Sequence, residues 1–128
     1  MAVVPGTAPI VAVSDLGESI AFYTRCLGFS VEIGGDGGIY ALLRRDTAMI
    51  ALIKADDQAA LTATRNNVSA QLWVPDVDAC WSQVAGQVRT LPDSRWTAPH
   101  DRDYGLREFH VKDPDGFLMF FTQLPTGG

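Results

Sequence analysis

The sequence predicts an α+β fold in which a single domain, residues 1–128, contains two copies of one β-α-β-β-β module. Its 128 residues, 13.8 kDa, suffice for one domain to bury a core without disulfides or a metal. With 47% hydrophobic and 20% charged residues, the composition is that of an ordinary globular protein. The chain also repeats a pattern, since VAVSDL at residues 11–16 matches LWVPDV at residues 72–77.

The first module, about residues 7–55, is predicted to begin with a short strand and a capped helix. Asp15 can accept a hydrogen bond at the helix N-terminus, and Glu18 follows at the spacing of a capping box. The helix is expected to end at Gly28, where the left-handed conformation costs least. Strand-like segments follow at residues 29–33, 38–44 and 48–55. The glycine-rich residues 34–38 lie between two strands, so they predict a flexible turn and not a phosphate-binding loop.

The second module, about residues 68–123, follows a polar or helical linker at residues 56–67. Its helix is expected to run from about Asp76 to Gly86, because apolar residues recur there at spacings of three and four. Trp81 belongs to that apolar stripe and is assigned to the core. Strands are predicted at residues 87–90, 106–112 and 117–123. DPDG at residues 113–116 is typical of a type I turn with a glycine bulge.

Residues 91–104 are predicted to form a long irregular loop. A loop of this length is often a lid over a binding site. Trp96 and Tyr104 are therefore candidate ligand contacts, with packing inside the loop as the alternative for each. Tyr40, on a strand of the first module, is a weaker candidate of the same kind and fits the core better.

The charge balance bears on the kind of partner. Ten basic and fifteen acidic residues give a net charge of −5, which disfavours nucleic acid or an anionic membrane and favours a neutral or cationic small molecule. The first residues lack the basic start and apolar core of a secretory signal. With only Cys26 and Cys80 in the chain, the sequence gives no sign of an oxidising compartment. We expect a cytoplasmic protein with both thiols reduced.

Two groups of short motifs carry a resemblance to a known family. They are VSDL at 13–16, FY at 22–23 and LGF at 27–29 near the start, then YGLREF at 104–109 and DPDG at 113–116 near the end. Together they resemble the vicinal-oxygen-chelate superfamily of glyoxalases, dioxygenases and bleomycin-resistance proteins, and the closing motifs are most similar to the bleomycin-resistance branch. The resemblance covers about residues 7–123. It implies two modules forming a curled mixed sheet around a cavity, commonly in a homodimer with exchanged modules.

The resemblance also implies where a metal would be held. In the superfamily's enzymes, His and Glu ligands lie in the first and last strands of each module, and these positions fall on Ala8, Ser69 and Phe120 here. A methyl, a hydroxyl and a phenyl group do not replace imidazole or carboxylate ligands. We therefore predict no metal and no cofactor. The alternative is a metal held at shifted positions by His110, Glu108 or His100.

Strand alternation assigns further residues to the cavity. Pairing across the DPDG turn sets His110 opposite Phe120, and Glu108 lies on the same face. If Phe120 faces the cavity, as the superfamily implies, Glu108 and His110 would orient a ligand. The alternative is a satisfied histidine and a glutamate held by Arg107 or Arg102.

The first strand of the second module adds an aromatic wall. Gln71 and Trp73 share one face with Ser69, while Leu72 and Val74 face the helix. Trp73 would then stand in the cavity or at its rim, where an indole can stack on a planar ligand. Its alternative place is a dimer interface.

The predicted function is binding without catalysis. We expect a metal-independent homodimer that sequesters a hydrophobic or aromatic compound, neutral or cationic, as the bleomycin-resistance resemblance implies. A glyoxalase- or dioxygenase-like metalloenzyme with shifted ligands and a regulatory ligand sensor are the alternatives. The predicted ligand-binding residues are Trp73, Glu108, His110, Phe120, Trp96, Gln71 and Tyr104.

Overall fold

Two four-stranded mixed sheets, each with a helix packed on one face, make up the fold. The structure is a computed structural model that describes residues 6–35 and 37–125. Asp36 of the predicted glycine-rich turn lies outside the described residues. The same holds for residues 1–5, on which the expectation about a secretory signal rests, and for residues 126–128.

The first module has the predicted element order. It comprises β1 (Ile10–Val13), α1 (Leu16–Leu27), β2 (Ser30–Gly34), β3 (Tyr40–Arg45) and β4 (Ala48–Lys54). The strand order in the sheet is β1-β4-β3-β2, with β1 parallel to β4 and the other neighbours antiparallel. The predicted linker contains α2 (Gln58–Asn67).

The second module repeats this topology. It comprises β5 (Ser69–Val74), α3 (Val77–Val88), β6 (Trp96–Asp101), β7 (Arg107–Lys112) and β8 (Leu118–Gln123). The strand order is β5-β8-β7-β6, with β5 parallel to β8. The two β-α-β-β-β modules and the α+β class are thereby confirmed.

The same kind of cap starts both long helices. The Asp15 carboxylate accepts from the Glu18 backbone N–H at 3.0 Å, and Asp76 accepts from that of Ala79 at 3.1 Å. Gly28 ends α1 with φ 74°, a conformation that glycine adopts without strain. Short-range residue spacing therefore predicts where both helices begin.

The predicted strand at residues 87–90 is wrong, because α3 continues to Val88. Val84 and Val88 lie four residues apart and are both buried, so the apolar stripe extends past Gly86. A glycine inside a helix costs about 1 kcal/mol, whereas burying a valine side chain contributes about 1.5–3 kcal/mol. Burial of Val88 outweighs the helix-breaking tendency of Gly86.

The predicted lid at residues 91–104 is also wrong. It contains a short 3-10 helix at Asp93–Arg95 and then β6, the edge strand of the second sheet. Trp96 pairs with Val111, and His100 pairs with Glu108. The register shifts between Thr97 and His100, where Pro99 lies. A proline within a segment usually argues against a strand, which is why the sequence predicted a loop here. Proline is nevertheless tolerated on an edge strand at such an irregularity.

The hairpin of β7 and β8 has the predicted register. His110 lies opposite Phe120, and Phe109 lies opposite Phe121. The rings of Phe109 and Phe121 are buried and stacked, with centroids 4.6 Å apart. The alternation predicted for this hairpin is confirmed, so one face packs against α3 and the other faces away from it.

A buried polar contact joins the two modules. The Tyr23 hydroxyl on α1 donates to the Asp113 carboxylate at 3.0 Å. The other carboxylate oxygen of Asp113 accepts from the backbone N–H groups of Asp115 and Phe117, each at 2.9 Å. Since α1 also contacts α3, the two modules share one hydrophobic core. None of the helices in the described residues is long and apolar enough to cross a membrane.

Candidate ligand-binding site

The candidate site lies on the face of the second sheet that points away from α3, which we call the open face. Pairing places Gln71 beside Phe120 and Trp73 beside Thr122, and it sets Thr122 beside Glu108. The open face includes Gln71, Trp73, His100, Glu108, His110, Phe120 and Thr122.

Glu108 is the centre of a hydrogen-bond network. Its side chain is 0% exposed. One carboxylate oxygen accepts from the Thr122 hydroxyl at 3.0 Å, and the other accepts from His110 Nε2 at 3.1 Å and from the Tyr104 hydroxyl. Gln71 Nε2 in turn donates to Thr122 Oγ1 at 3.2 Å. Both oxygens of the carboxylate therefore already accept hydrogen bonds from the protein.

These donors keep Glu108 ionised. Burial raises the pKa of Glu108, but the hydrogen bonds from Tyr104, His110 and Thr122 together lower it further, so the pKa lies below its ordinary value. Because this ionised carboxylate is 0% exposed, a ligand on the open face does not contact it directly. It can fix the positions of Tyr104 and His110, which are closer to the surface.

Burial favours the neutral form of His110. Burial lowers the pKa of its imidazole, and this effect outweighs the opposing influence of Glu108. Since Glu108 accepts from Nε2, that nitrogen carries the proton and Nδ1 is left as an acceptor. The His110 ring also makes edge-to-face contacts with two other rings, whose centroids lie 4.5 Å away for Phe120 and 5.2 Å away for His100.

The turn between β6 and β7 contributes Arg102 and Tyr104. The Tyr104 side chain is exposed, and the Arg102 guanidinium carbon lies 5.2 Å from the centre of its ring. Arg102 Nη1 is 3.5 Å from Glu108 Oε1. Of the two arginines predicted as partners of Glu108, Arg102 is therefore the one in place. Arg107 instead bridges Asp78 and Asp101.

Trp73 provides the aromatic surface. It is the next-to-last residue of β5, and its side chain is 47% exposed. Its neighbours Leu72 and Val74 pack toward the core as predicted. Trp73 also borders two clefts of about 460 and 540 Å³ at the junction with the first module, where the β3–β4 turn at residues 45–48 lies. An indole in this position can stack on a planar molecule.

Trp96 does not belong to the open face. Its ring lies 5.8 Å from that of Trp81, and its indole N–H donates to the Leu91 carbonyl at 3.2 Å. Its pairing with Val111 places it on the side of the helix. The expectation that Trp96 contacts a ligand from a lid fails because the lid is a strand. The core assignment of Trp81 is confirmed, since it is buried against Phe109.

Two features of the surface were not predicted from the sequence. One is the placement of Arg102, which depends on the conformation of a turn. The other is an apolar surface on the first sheet, where four large side chains are between 38% and 70% exposed: Ile10, Ile33, Tyr40 and Ile53. Tyr40 is thus on the surface and not in the core. Alternation along β3 and β4 was the signal that could have found this surface.

The positions of the superfamily's metal ligands do not fit a metal here. Ser69 and Phe120 lie on β5 and β8 as expected, and Ala8 precedes β1, but none of these side chains coordinates a divalent ion. In the part of the chain that the structure describes, no group of three or more His, Cys, Asp or Glu residues is arranged to hold one.

Comparisons with known proteins agree with this architecture. A family model described as Glyoxalase/Bleomycin resistance protein/Dioxygenase superfamily matches residues 7–121. The bleomycin-binding protein from bleomycin-producing Streptomyces verticillus, solved with copper(II)-bleomycin, is 27% identical with a TM-score of 0.76, over 97% of this chain and 99% of that chain. A bleomycin resistance determinant encoded on the transposon Tn5 is 22% identical with a TM-score of 0.74, over 94% and 98%.

A lactoylglutathione lyase from Agrobacterium tumefaciens is 13% identical with a TM-score of 0.63, over 91% of this chain and 90% of that chain. At these lower identities, the likeness of the transposon-encoded determinant and of the lyase shows the fold alone. Comparison with the curated proteins gives no match.

Proposed function

Because this chain belongs to the Glyoxalase/Bleomycin resistance protein/Dioxygenase superfamily, we propose that it is a binding protein that sequesters a hydrophobic or aromatic small molecule without a metal. The observation that carries the proposal is the open face itself. It presents an exposed indole, Trp73, beside a fixed polar array, while the metal positions hold Ser69 and Phe120. Such a surface binds a planar molecule by stacking and hydrogen bonding.

The roles of the residues follow from their accessibility. Trp73 and Phe120 contact the planar part of the ligand, and Tyr104 borders its other side. His110 and Gln71 supply hydrogen bonds. Glu108 is a positioning residue, because its carboxylate holds the Tyr104 hydroxyl and His110 Nε2 in place while it is itself buried. Resistance by sequestration is then stoichiometric, one ligand for each site.

A homodimer would complete the site. The apolar surface of the first sheet presents four large exposed side chains, Ile10, Ile33, Tyr40 and Ile53, and a contiguous apolar surface of this kind often marks a protein–protein interface. A second copy offers the complementary cover, since its open face needs a wall to exclude solvent from a bound ligand. We propose that the first sheet of one copy closes over the second sheet of the other, as in an exchanged-module dimer.

The state of the cysteines and the net charge bear on the compartment and on the other partners. Cys80 is buried and Cys26 half-buried, and both are free, which suits the reducing cytoplasm. The net charge of −5 disfavours nucleic acid and anionic membranes as partners. We propose that the whole chain, residues 1–128, acts as one cytoplasmic domain.

Calorimetric titration tests the proposed function. The purified protein is titrated with metal-free bleomycin and with N-phenyl-1-naphthylamine, a neutral aromatic probe. Saturable binding of at least one compound, weakened in Trp73→Ala but retained in Trp96→Phe, is the expected result. Trp96 is the matched control because it lies on the opposite face. If neither compound binds, the open face is not an aromatic binding site.

A further inference from the structure

We propose that Arg102 is an anion-binding residue at the edge of the open face, so that the ligand is an aromatic compound with an acidic group. This inference rests on the proposed function and names the chemistry of its ligand. From the sequence, the net charge of −5 favours a neutral or cationic ligand. The local arrangement of charges points the other way.

The negative charge at the site is buried. Glu108 is the carboxylate of the open face, and its side chain is 0% exposed. Its two oxygens already accept from Thr122, His110 and Tyr104. A cationic ligand would have to displace one of these donors and become desolvated itself, which is costly for a buried charge. Glu108 therefore does not serve as a counter-ion for a ligand.

The positive charge at the site is accessible. The Arg102 side chain is 37% exposed, whereas that of Glu108 beside it is 0% exposed. Its Nη1 lies 3.5 Å from Glu108 Oε1, which is an ion-pair distance but longer than a typical hydrogen bond. Among the described residues, no acceptor completes a hydrogen bond with this guanidinium. Its N–H groups are thus free to bind the two oxygens of a carboxylate or sulfonate.

Two contacts orient Arg102. Its guanidinium carbon lies 5.2 Å from the centre of the Tyr104 ring, and its backbone N–H donates to the Leu106 carbonyl at 2.8 Å. These contacts restrict the side chain before a ligand arrives, so less rotamer entropy is lost on binding. Arg102 also lines a cleft of about 480 Å³, which has room for an acidic group. The apolar part of its lining includes Leu106 and Leu124, and its charged part includes the ion-paired Asp101 and Arg107.

Other charged side chains lie close to Arg102. The carboxylate of Asp101, the preceding residue, is paired with Arg107. Asp103, the following residue, is exposed to solvent. An approaching anion therefore meets a partly exposed guanidinium whose nearest ion-pair partner, the carboxylate of Glu108, is buried behind it.

A matched pair of probes tests the inference. 8-Anilinonaphthalene-1-sulfonate and N-phenyl-1-naphthylamine share the same ring system and differ in the sulfonate, and both fluoresce more strongly when bound. Their affinities are measured for wild type, Arg102→Gln, Arg102→Lys and Arg25→Gln, each first shown to unfold cooperatively on heating. Arg25→Gln is the control, because Arg25 is exposed in the last turn of α1 and does not line the cleft beside Arg102.

We expect Arg102→Gln to weaken binding of the sulfonate about tenfold, which corresponds to about 1.4 kcal/mol, and to change binding of the neutral probe less than twofold. Arg102→Lys should recover part of the loss, and Arg25→Gln should leave the ratio of the two affinities unchanged. Equal losses for both probes in Arg102→Gln, or no loss for the sulfonate, would overturn the inference. If the wild type binds neither probe, the proposed aromatic site fails as well, so the two failures are distinguishable.

Discussion

At the scale of single residues, Trp73 and Trp81 carry the same side chain in opposite environments. Trp73 is exposed on the open face, whereas Trp81 is buried against Phe109 under α3. We expect Trp81→Ala to lower the free energy of unfolding by about 3–5 kcal/mol, the usual cost of removing a large buried side chain. Trp73→Ala should leave it nearly unchanged. Urea denaturation measures both, and a similar loss in the two variants would contradict the assigned environments.

The same pair separates stability from binding. Trp73→Ala should weaken an aromatic ligand by about 0.5–1.5 kcal/mol beyond the loss of buried area, or up to roughly tenfold in Kd. The reason is that the indole supplies the stacking surface of the open face. Calorimetric titration with N-phenyl-1-naphthylamine gives the value. An unchanged Kd would move the binding site away from β5.

Glu108 should make the free energy of unfolding depend on pH. Because its pKa is lower in the folded protein than in the unfolded chain, its contribution to stability is fully present above the unfolded pKa, about 4.3. That contribution is lost as the pH falls through the folded pKa. The free energy of unfolding of the wild type should therefore decrease more steeply below pH 4.3 than that of Glu108→Gln. Parallel curves for the two proteins would show that the network does not stabilise the ionised carboxylate.

At the scale of elements, the DPDG turn connects the β7–β8 hairpin to α1. Asp113 accepts three hydrogen bonds there, from Tyr23, Asp115 and Phe117. Asp113→Ala leaves these donors unpaired in a buried place, which should cost about 1–3 kcal/mol for each unsatisfied group that water cannot reach. Asp113→Asn keeps the shape and an acceptor, so it should cost less. Thermal unfolding of the two variants compares them, and equal midpoints would show that the contact is not structural.

The same turn has the opposite pH dependence to Glu108. Burial raises the pKa of Asp113 above its ordinary value, despite the hydrogen bonds that lower it. The protonated form is therefore favoured by folding, and its contribution to stability is lost as the pH rises from the unfolded pKa, about 3.9, through the folded pKa. Asp113→Asn should remove this slope. A wild-type slope that persists in Asp113→Asn would have to come from another carboxylate.

At the scale of the whole molecule, the apolar surface of the first sheet predicts a dimer. Sedimentation should give about twice the chain mass at micromolar concentration, and Ile53→Lys should shift the particle toward the monomer by placing a charge in the interface. Ile39→Lys is the matched control, because Ile39 is equally apolar and well exposed but precedes β3 outside that surface. A wild-type monomer, or equal shifts in both variants, would contradict the proposed arrangement.

The whole molecule should also be independent of metal. With Ala8, Ser69 and Phe120 at the superfamily's ligand positions, we expect well under one equivalent of divalent ion in the purified protein. A chelator should leave the Tm unchanged, since no ion would stabilise the folded state by binding to it. Stoichiometric metal that is lost in His100→Ala or His110→Ala would favour the enzyme with shifted ligands instead.

The sequence by itself determined the module order, the helix starts and the faces of the central strands. Asp15 and Asp76 cap their helices through hydrogen bonds between residues three apart in the chain. The DPDG turn fixes the register of β7 against β8 within the hairpin. Alternation then separates His110 and Phe120 from Phe109 and Phe121. All of these depend on interactions between residues close in the chain, so their pattern can be read locally.

The tertiary structure alone decided the rest of the site. β6 exists because it pairs with β7, and Pro99 hides that pairing from any local pattern. Trp96 is turned toward Trp81 by the same register, and Arg102 reaches Glu108 through the conformation of the turn that follows. The Glu108 carboxylate accepts its hydrogen bonds only because Tyr104, His110 and Thr122 converge on it from a turn and two strands. Burial and hydrogen-bond saturation are properties of groups brought together in space, which residue spacing along the chain does not specify.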